Sequence, residues 1–420
     1  MGPPYRPTAF PPYLVPMRFI GSGLIIVMAL ACQPTPDAIG TGAVARDSAG
    51  IRIVLNEEPA WTAATAWTIA DTASVDITGT SASPFRDIVA VIRTPDGAIA
   101  VADGITQRIR LFTPAGAPLR ALGGRGTEPG EFEALHWLVH AGDSLLAYDL
   151  VLRRLTLFGD AGRPRVAELD GVGDLFITPV GRFRDGTVLM AAGGSVFPFP
   201  DSAGRVRRDS ATLLRFGPEG RLRDTLARVA WSESFGVEIA STGQRFIAPM
   251  PRPFGRRTSV FVRFGGFGVS EGGRYQVDLY GSDHQLAMSI RREVKGAPVT
   301  PEAIDGFRTA RASAPPAEGL QRQLDSALVR ALDSAPYPGA MPVTERALTD
   351  DLGNIWVEDY SVRGDQPAIW SVFDIGGIWQ GEIAVPPRFD PMYIGADMIY
   401  GVWRDPGEAP RVRGYRINKP

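Results

Sequence analysis

Between Asp96 and Phe132 the apolar and polar positions change rhythm three times. Ala98-Ile99-Ala100-Val101-Ala102 is an unbroken apolar run closed by Asp103, whereas Arg108-Ile109-Arg110-Leu111-Phe112 alternates charged and apolar residues. Pro118-Leu119-Arg120-Ala121-Leu122 follows the turn residues Thr113-Pro114-Ala115-Gly116. Runs of this length, with period two and tight turn signals between them, predict three short antiparallel strands. Gly123-Gly124-Arg125-Gly126 marks the exit from the third.

The unit recurs. An aromatic residue closes an alternating run and a Gly follows four places later at Phe112/Gly116, Phe158/Gly162, Phe216/Gly220 and Phe373/Gly377. Val277 to Tyr280 repeats the strand with His284 at the turn position, and Arg413 to Arg416 is a looser copy. Each Gly falls where a turn needs a residue tolerant of positive φ. A preceding apolar run leads into most copies: 99–103, 145–149, 187–191 and 355–359. The 46 residues from Phe112 to Phe158 are a period expected of propellers and solenoids.

The segments DGAIAVAD, RIRLF, PAG and GGRGTEPGEF, all within 96–132, resemble the NHL-type repeat of bacterial six-bladed β-propellers. The second unit and Asn354-Ile355-Trp356-Val357 match it in part, and the other copies share its layout. The resemblance implies an all-β, six-bladed propeller over 49–420. It also implies ring closure by N-terminal strands, with Trp67 to Gly79 supplying an outer strand and Met398 to Trp403 and Val412 to Ile417 the inner ones.

Two stretches interrupt the β pattern. Thr300-Pro301-Glu302 carries an N-cap residue followed by Pro at the first helical position. Leu320, Leu324, Leu328 and Leu332 then share one helix face. A helical insertion is therefore predicted over 300–334, between blades four and five, as a flap on the propeller surface or a lid over its channel. The Pro-rich stretch Glu233 to Arg257 is predicted to be a long loop.

The amino terminus changes the picture most. From Met17, where translation is expected to begin, Arg18 precedes an uncharged run from Phe19 to Leu30, too short to span a bilayer as a helix. Ala29-Leu30-Ala31-Cys32 resembles a bacterial lipobox, with Ala in place of the common Leu three positions before the cysteine. Residues 1–31 then comprise an upstream extension and a lipoprotein signal peptide, and Cys32 is the lipid attachment site. A plain export signal cut after Ala31 is the alternative. Cys32 is the only cysteine of the chain, and a stray thiol is a liability in an oxidising compartment. Residues 32–48, small and polar, are predicted to be a flexible tether.

Among 420 residues the 48 Gly and 36 Pro act as punctuation, as turn-rich β proteins require. A net charge of −2 offers no field for nucleic acid, so none is expected as a partner. His136, His140 and His284 are the only histidines. On a strand His136 and His140 would sit ~13 Å apart, too far to share a metal ion. No HExxH, CxxC, calcium-loop or GxSxG pattern is present, and Gly193-Gly194-Ser195 has no adjacent base. The Gly-rich stretches 123–126 and 265–268 read as turns, since neither opens a helix. Asp103, Asp149 and Asp359 each end a second strand. As a ring they could hold a divalent cation; individually they would cap the following turn, which is the favoured reading. The clusters Arg205/Arg207/Arg208 and Arg252/Arg256/Arg257 fall in expected loops and read as solvated surface, although an anionic ligand at the channel mouth would use arginines there.

The expectation is a lipid-anchored extracytoplasmic propeller that binds a small molecule or protein, without a required cofactor. The alternative is a metal-dependent hydrolase or lyase, lactonase-like or amidating-lyase-like, with its site in the central channel.

Overall fold

The computed structural model describes residues 37–38 and 42–420, apart from 81–82, 160–162, 174, 194–201, 242–243, 313–318, 363–365 and 406–408. Residues 1–31, where a signal peptide is expected, and Cys32 lie outside the described residues.

The chain is a β-propeller built from antiparallel meanders. Sheet 1 comprises Ile88–Arg93, Ile99–Asp103, Arg108–Phe112 and Pro118–Gly123, and sheet 2 comprises Leu135–Ala141, Ser144–Asp149, Arg154–Phe158 and Arg165–Glu168. Sheet 3 runs Ile177–Arg182, Val188–Gly193, Val206–Phe216 and Leu222–Ser241, with Gln244–Pro251 added at its edge. Sheet 4 holds Ser259–Arg263, Gly266–Ser270, Gln276–Tyr280 and Leu286–Arg292. Sheet 5 holds Thr344–Thr349, Ile355–Asp359, Ala368–Phe373 and Trp379–Val385. Sheet 6 holds Phe389–Ile394, Met398–Trp403 and Arg411–Asn418, completed from the N-terminal side by Thr68–Ile69 and Val75–Ile77.

The expected closure is present. Val75–Ile77 pairs with residues 412–414, so the last strand of the chain is covered by one from the N-terminal side. The first strands of sheets 1 to 5 adjoin one another in turn, and that of sheet 6 returns to that of sheet 1. Asp350 bridges Ile394 to join sheets 5 and 6. Buried clusters fill each gap between neighbouring sheets. Ile92, Ala100 and Leu138 lie between sheets 1 and 2, and Trp356, Trp370 and Ile399 between 5 and 6. Val91, Tyr400 and Val412 seal 6 against 1. Burying such side chains supplies most of the driving force, at about 1.5–3 kcal/mol each.

The turn chemistry follows the sequence. Gly116, Gly220 and Gly377 take φ of 87°, 85° and 82°, and His284 adopts 62° at the matching turn. Gly162, the remaining member of that series, lies outside the described residues.

Two expectations need correction. The interval 32–48 is not tether throughout: Ala43–Ser48 forms a hairpin with Ile51–Asn56, which then pairs in parallel with Leu286–Arg292 and widens sheet 4. The side-chain oxygen of buried Asn56 accepts from Trp379 N–H at 2.8 Å, and its amide donates to Gly377 O at 3.0 Å. The Pro-rich stretch 233–257 is largely strand, because Leu222–Ser241 and Gln244–Pro251 form a long hairpin. Pro249 and Pro251 lie on its edge strand, where a missing N–H costs no ladder bond.

Helix α1 (Pro301–Ala312) and helix α2 (Gly319–Ala331) lie between sheets 4 and 5, followed by a 3₁₀ turn at Leu332–Ser334. Thr300 caps α1 as expected, its hydroxyl accepting from Ala303 N–H at 3.3 Å. Ala327, Leu328 and Leu332 pack on Phe235, Val237 and Met250 of the long hairpin. The helices therefore dock on the sheet 3 extension.

Candidate functional site

In each meander the turns after strands one and three fall at one end. The turn after strand two and the link to the next sheet fall at the other. This second end carries the irregular structure: the long hairpin, both helices and the loop after Asp359.

Asp103 and Asp149 end second strands there and behave as turn caps. Asp103 Oδ1 accepts from the N–H groups of Ile105 and Thr106 at 3.0 and 3.2 Å, and Oδ2 from Arg86 N and Arg110 at 3.2 and 3.0 Å. Asp149 Oδ1 takes Val151 N and Leu152 N at 2.9 and 2.7 Å, while Oδ2 takes Glu133 N and Ala134 N at 2.7 and 3.1 Å. Both carboxylates are fully buried and tie a turn to the incoming link. Burying a carboxylate is costly unless its oxygens are hydrogen-bonded in this way.

Asp359 corrects the turn-cap expectation. Its Oδ1 accepts the Tyr275 hydroxyl at 2.9 Å, a bond across sheets 4 and 5. Burial pushes its carboxyl up to about 6, with Tyr275 and Arg292 opposing and Glu382 and Glu358 adding to the rise. Arg292 lies nearby, 3.5 Å from the Trp379 ring centroid and bonded to Ser371 at 2.6 Å.

Asp103, Asp149 and Asp359 are not assembled as a ligand set: among the described residues no group of three or more His, Cys, Asp or Glu is placed to hold a metal ion. His136 is exposed beside a bulge, His140 is half-buried farther along the same strand, and His284 lies 3.4 Å from Arg215 at the opposite end of the sheets. Gly193 ends a strand, while Gly194 and Ser195 lie outside the described residues.

The concavity at the irregular end is a cavity of about 470 Å³ under the helices. One wall is 251–255; α1 contributes Phe307, Ala310 and Arg311, and α2 contributes Leu328. Glu345 and the loop residues Tyr360 to Val362 form the far side. Phe254 is buried at φ 53°, an uncommon conformation for an aromatic residue, and packs 5.3 Å from Phe307 and 6.0 Å from Tyr337. Burial pushes the Tyr360 hydroxyl up to about 12, Glu345 reinforcing this and Arg257 opposing it.

Polar groups fix the wall. Arg252 donates to Pro336 O at 2.6 Å and to Glu233 at 2.9 Å, bridging the hairpin to the segment after the helices. Arg311 pairs with Asp325 at 2.9 Å, joining α1 to α2. Arg257 stands 3.7 Å from Glu345. The arrangement suits a ligand with an apolar or aromatic body and a polar group facing arginine. The sequence pointed to the arginine cluster and to the helices, but not to Phe254, Phe307 or Tyr360, which only the tertiary fold brings together.

Among the described residues no helix is long and apolar enough to cross a membrane. Comparison of the sequence with protein-family models and with curated proteins finds no match. Solved structures similar to the chain include a member of the DUF4221 family from Bacteroides vulgatus, at 10% identity and TM-score 0.49, covering 84% of this chain and 99% of that one. A virginiamycin B lyase from Staphylococcus aureus is similar at 9% identity and TM-score 0.41, covering 84% and 99%. Regucalcin from Agrobacterium tumefaciens, a calcium-binding protein, is similar at 11% identity and TM-score 0.42, covering 83% and 98%.

Proposed function

We propose that the chain is an exported, six-bladed β-propeller, held to a bacterial membrane by acylated Cys32, that binds a small ligand in the cavity beneath α1 and α2. The observation that carries this reading is the cavity itself. Its volume of about 470 Å³ falls within the ~300–1,000 Å³ common for small-molecule sites, and aromatic and arginine side chains line it together.

The blade count rests on the meanders and on the buried clusters that join each sheet to the next. The helices act as a fixed roof, since α2 buries Ala327 and Leu328 against the hairpin. The ligand enters beside Val362, which is 43% exposed at the rim. Incubating the protein with small-molecule fractions and detecting bound adducts by native mass spectrometry tests the reading. A Trp placed at Ala310, an exposed cavity-lining position, should abolish the adduct.

A further inference from the structure

A second cleft, of about 380 Å³, lies on the other side of the 252–257 segment and is lined by Arg208, Arg256 and Arg274 together with the carboxylates of Glu271 and Asp278. The arginines come from three separated stretches: the start of a sheet 3 strand, the link into sheet 4, and the turn between the second and third strands of sheet 4. We propose that this cleft is an oxyanion site, taking the phosphate or carboxylate group of a small ligand. It is distinct from the cavity under the helices and does not depend on that cavity being occupied.

Two of the arginines, Arg256 and Arg208, are held before any ligand arrives. Arg256 Nε donates to Glu233 at 2.6 Å, and its backbone N–H donates to the same side chain at 3.4 Å. Gly273 makes room for the Arg256 side chain: a Cβ there would lie 2.8 Å from Arg256 Cδ and 3.2 Å from Nη1. Arg208 is fixed through Nε to Trp231 O at 3.4 Å and through Nη2 to Glu271 O at 3.3 Å. A guanidinium held at Nε keeps its remaining N–H groups available in a fixed plane, the geometry that favours oxyanions.

The charges leave one cation over. Glu233 serves Arg252 and Arg256, and Glu271 serves Arg208 at 3.1 Å. Asp278 is satisfied by both Gln276 contacts at 2.9 Å and by the Ser289 hydroxyl at 2.7 Å. Arg274 is exposed and has no ion-pair partner among the described residues. The 54%-exposed Glu271 carboxylate occupies Arg208 from the solvent side and is positioned to give way to an incoming anion.

The test is titration of the full chain with inorganic phosphate and, separately, acetate at constant ionic strength, read by thermal shift and calorimetry. Saturable binding is expected, and the more effective anion identifies the group the cleft takes. Arg274→Gln should fold with an unchanged midpoint without anion and bind about tenfold more weakly, the usual loss for one charged hydrogen bond. Glu271→Gln should bind more tightly than the unaltered protein, a change that a purely structural role would not produce. Absence of saturable binding by either anion, or equal affinity in Arg274→Gln, overturns the proposal.

Discussion

The Glu233 carboxylate accepts the Arg256 Nε–H at 2.6 Å from a position only 5% exposed. With Arg252 on its other oxygen at 2.9 Å, it fixes the segment that separates the two clefts. Burial opposes its ionisation, but hydrogen bonds from Arg256 and Arg252 hold its carboxyl below the ordinary 4.5. A depressed carboxyl stabilises the fold above its unfolded value, and that contribution is lost as pH falls through the folded value. Glu233→Gln should cost about 1–3 kcal/mol at pH 7. The difference from the unaltered protein should narrow on acidification below 4.5, measured by urea unfolding at pH 7 and pH 3.5.

Asp359 should show the opposite slope. Its carboxyl is raised to about 6 from 3.8, so its contribution is full below pH 3.8 and lost as pH rises through 6. Asp359→Asn keeps an acceptor for Tyr275 and removes the titration. Between pH 4 and 7 the unaltered protein should lose on the order of 2 kcal/mol relative to the variant. Parallel stability curves over that window would contradict this.

Trp356 and Trp370 are both fully buried in the same cluster, yet their indole N–H groups differ. Trp356 donates to Asp350 at 3.2 Å, whereas the N–H of Trp370 has no hydrogen-bond partner among the described residues. Replacement by Phe leaves a similar void at either position. Trp356→Phe should therefore be the more destabilising, by about 1 kcal/mol, because Trp370→Phe also removes an unsatisfied donor. Denaturant midpoints of the two variants decide it.

The repeat was legible in the sequence because each copy is local. The 99–103 and 355–359 strands, the turn at His284 and the N-cap at Thr300 depend on neighbours only a few residues away. Pairing of Ile51–Asn56 with Leu286–Arg292 depends on a partner far along the chain, and no local pattern announces it. The long hairpin was hidden because Pro249 and Pro251 argue against a central strand, and sequence alone does not say which strand will be at an edge. Asp359 ends its strand as Asp103 and Asp149 do, but Tyr275 from the neighbouring sheet takes its carboxylate. The convergence of Arg208, Arg256 and Arg274 likewise arises only when sheets 3 and 4 stand side by side.

Lipid attachment at Cys32 predicts that the full chain partitions into the detergent phase of a Triton X-114 extraction, and that Cys32→Ser moves it to the aqueous phase. Aqueous partitioning of the unaltered protein would refute acylation.

The cavity reading is tested most directly by native mass spectrometry of the full chain after incubation with a small-molecule extract of its own cells, beside Ala310→Trp. Ala310 is exposed at the cavity wall on α1, so the larger side chain fills the space without entering the core. The unaltered protein should carry one adduct per chain and the variant none. No adduct on the unaltered protein, or the same adduct on both, would contradict the cavity reading.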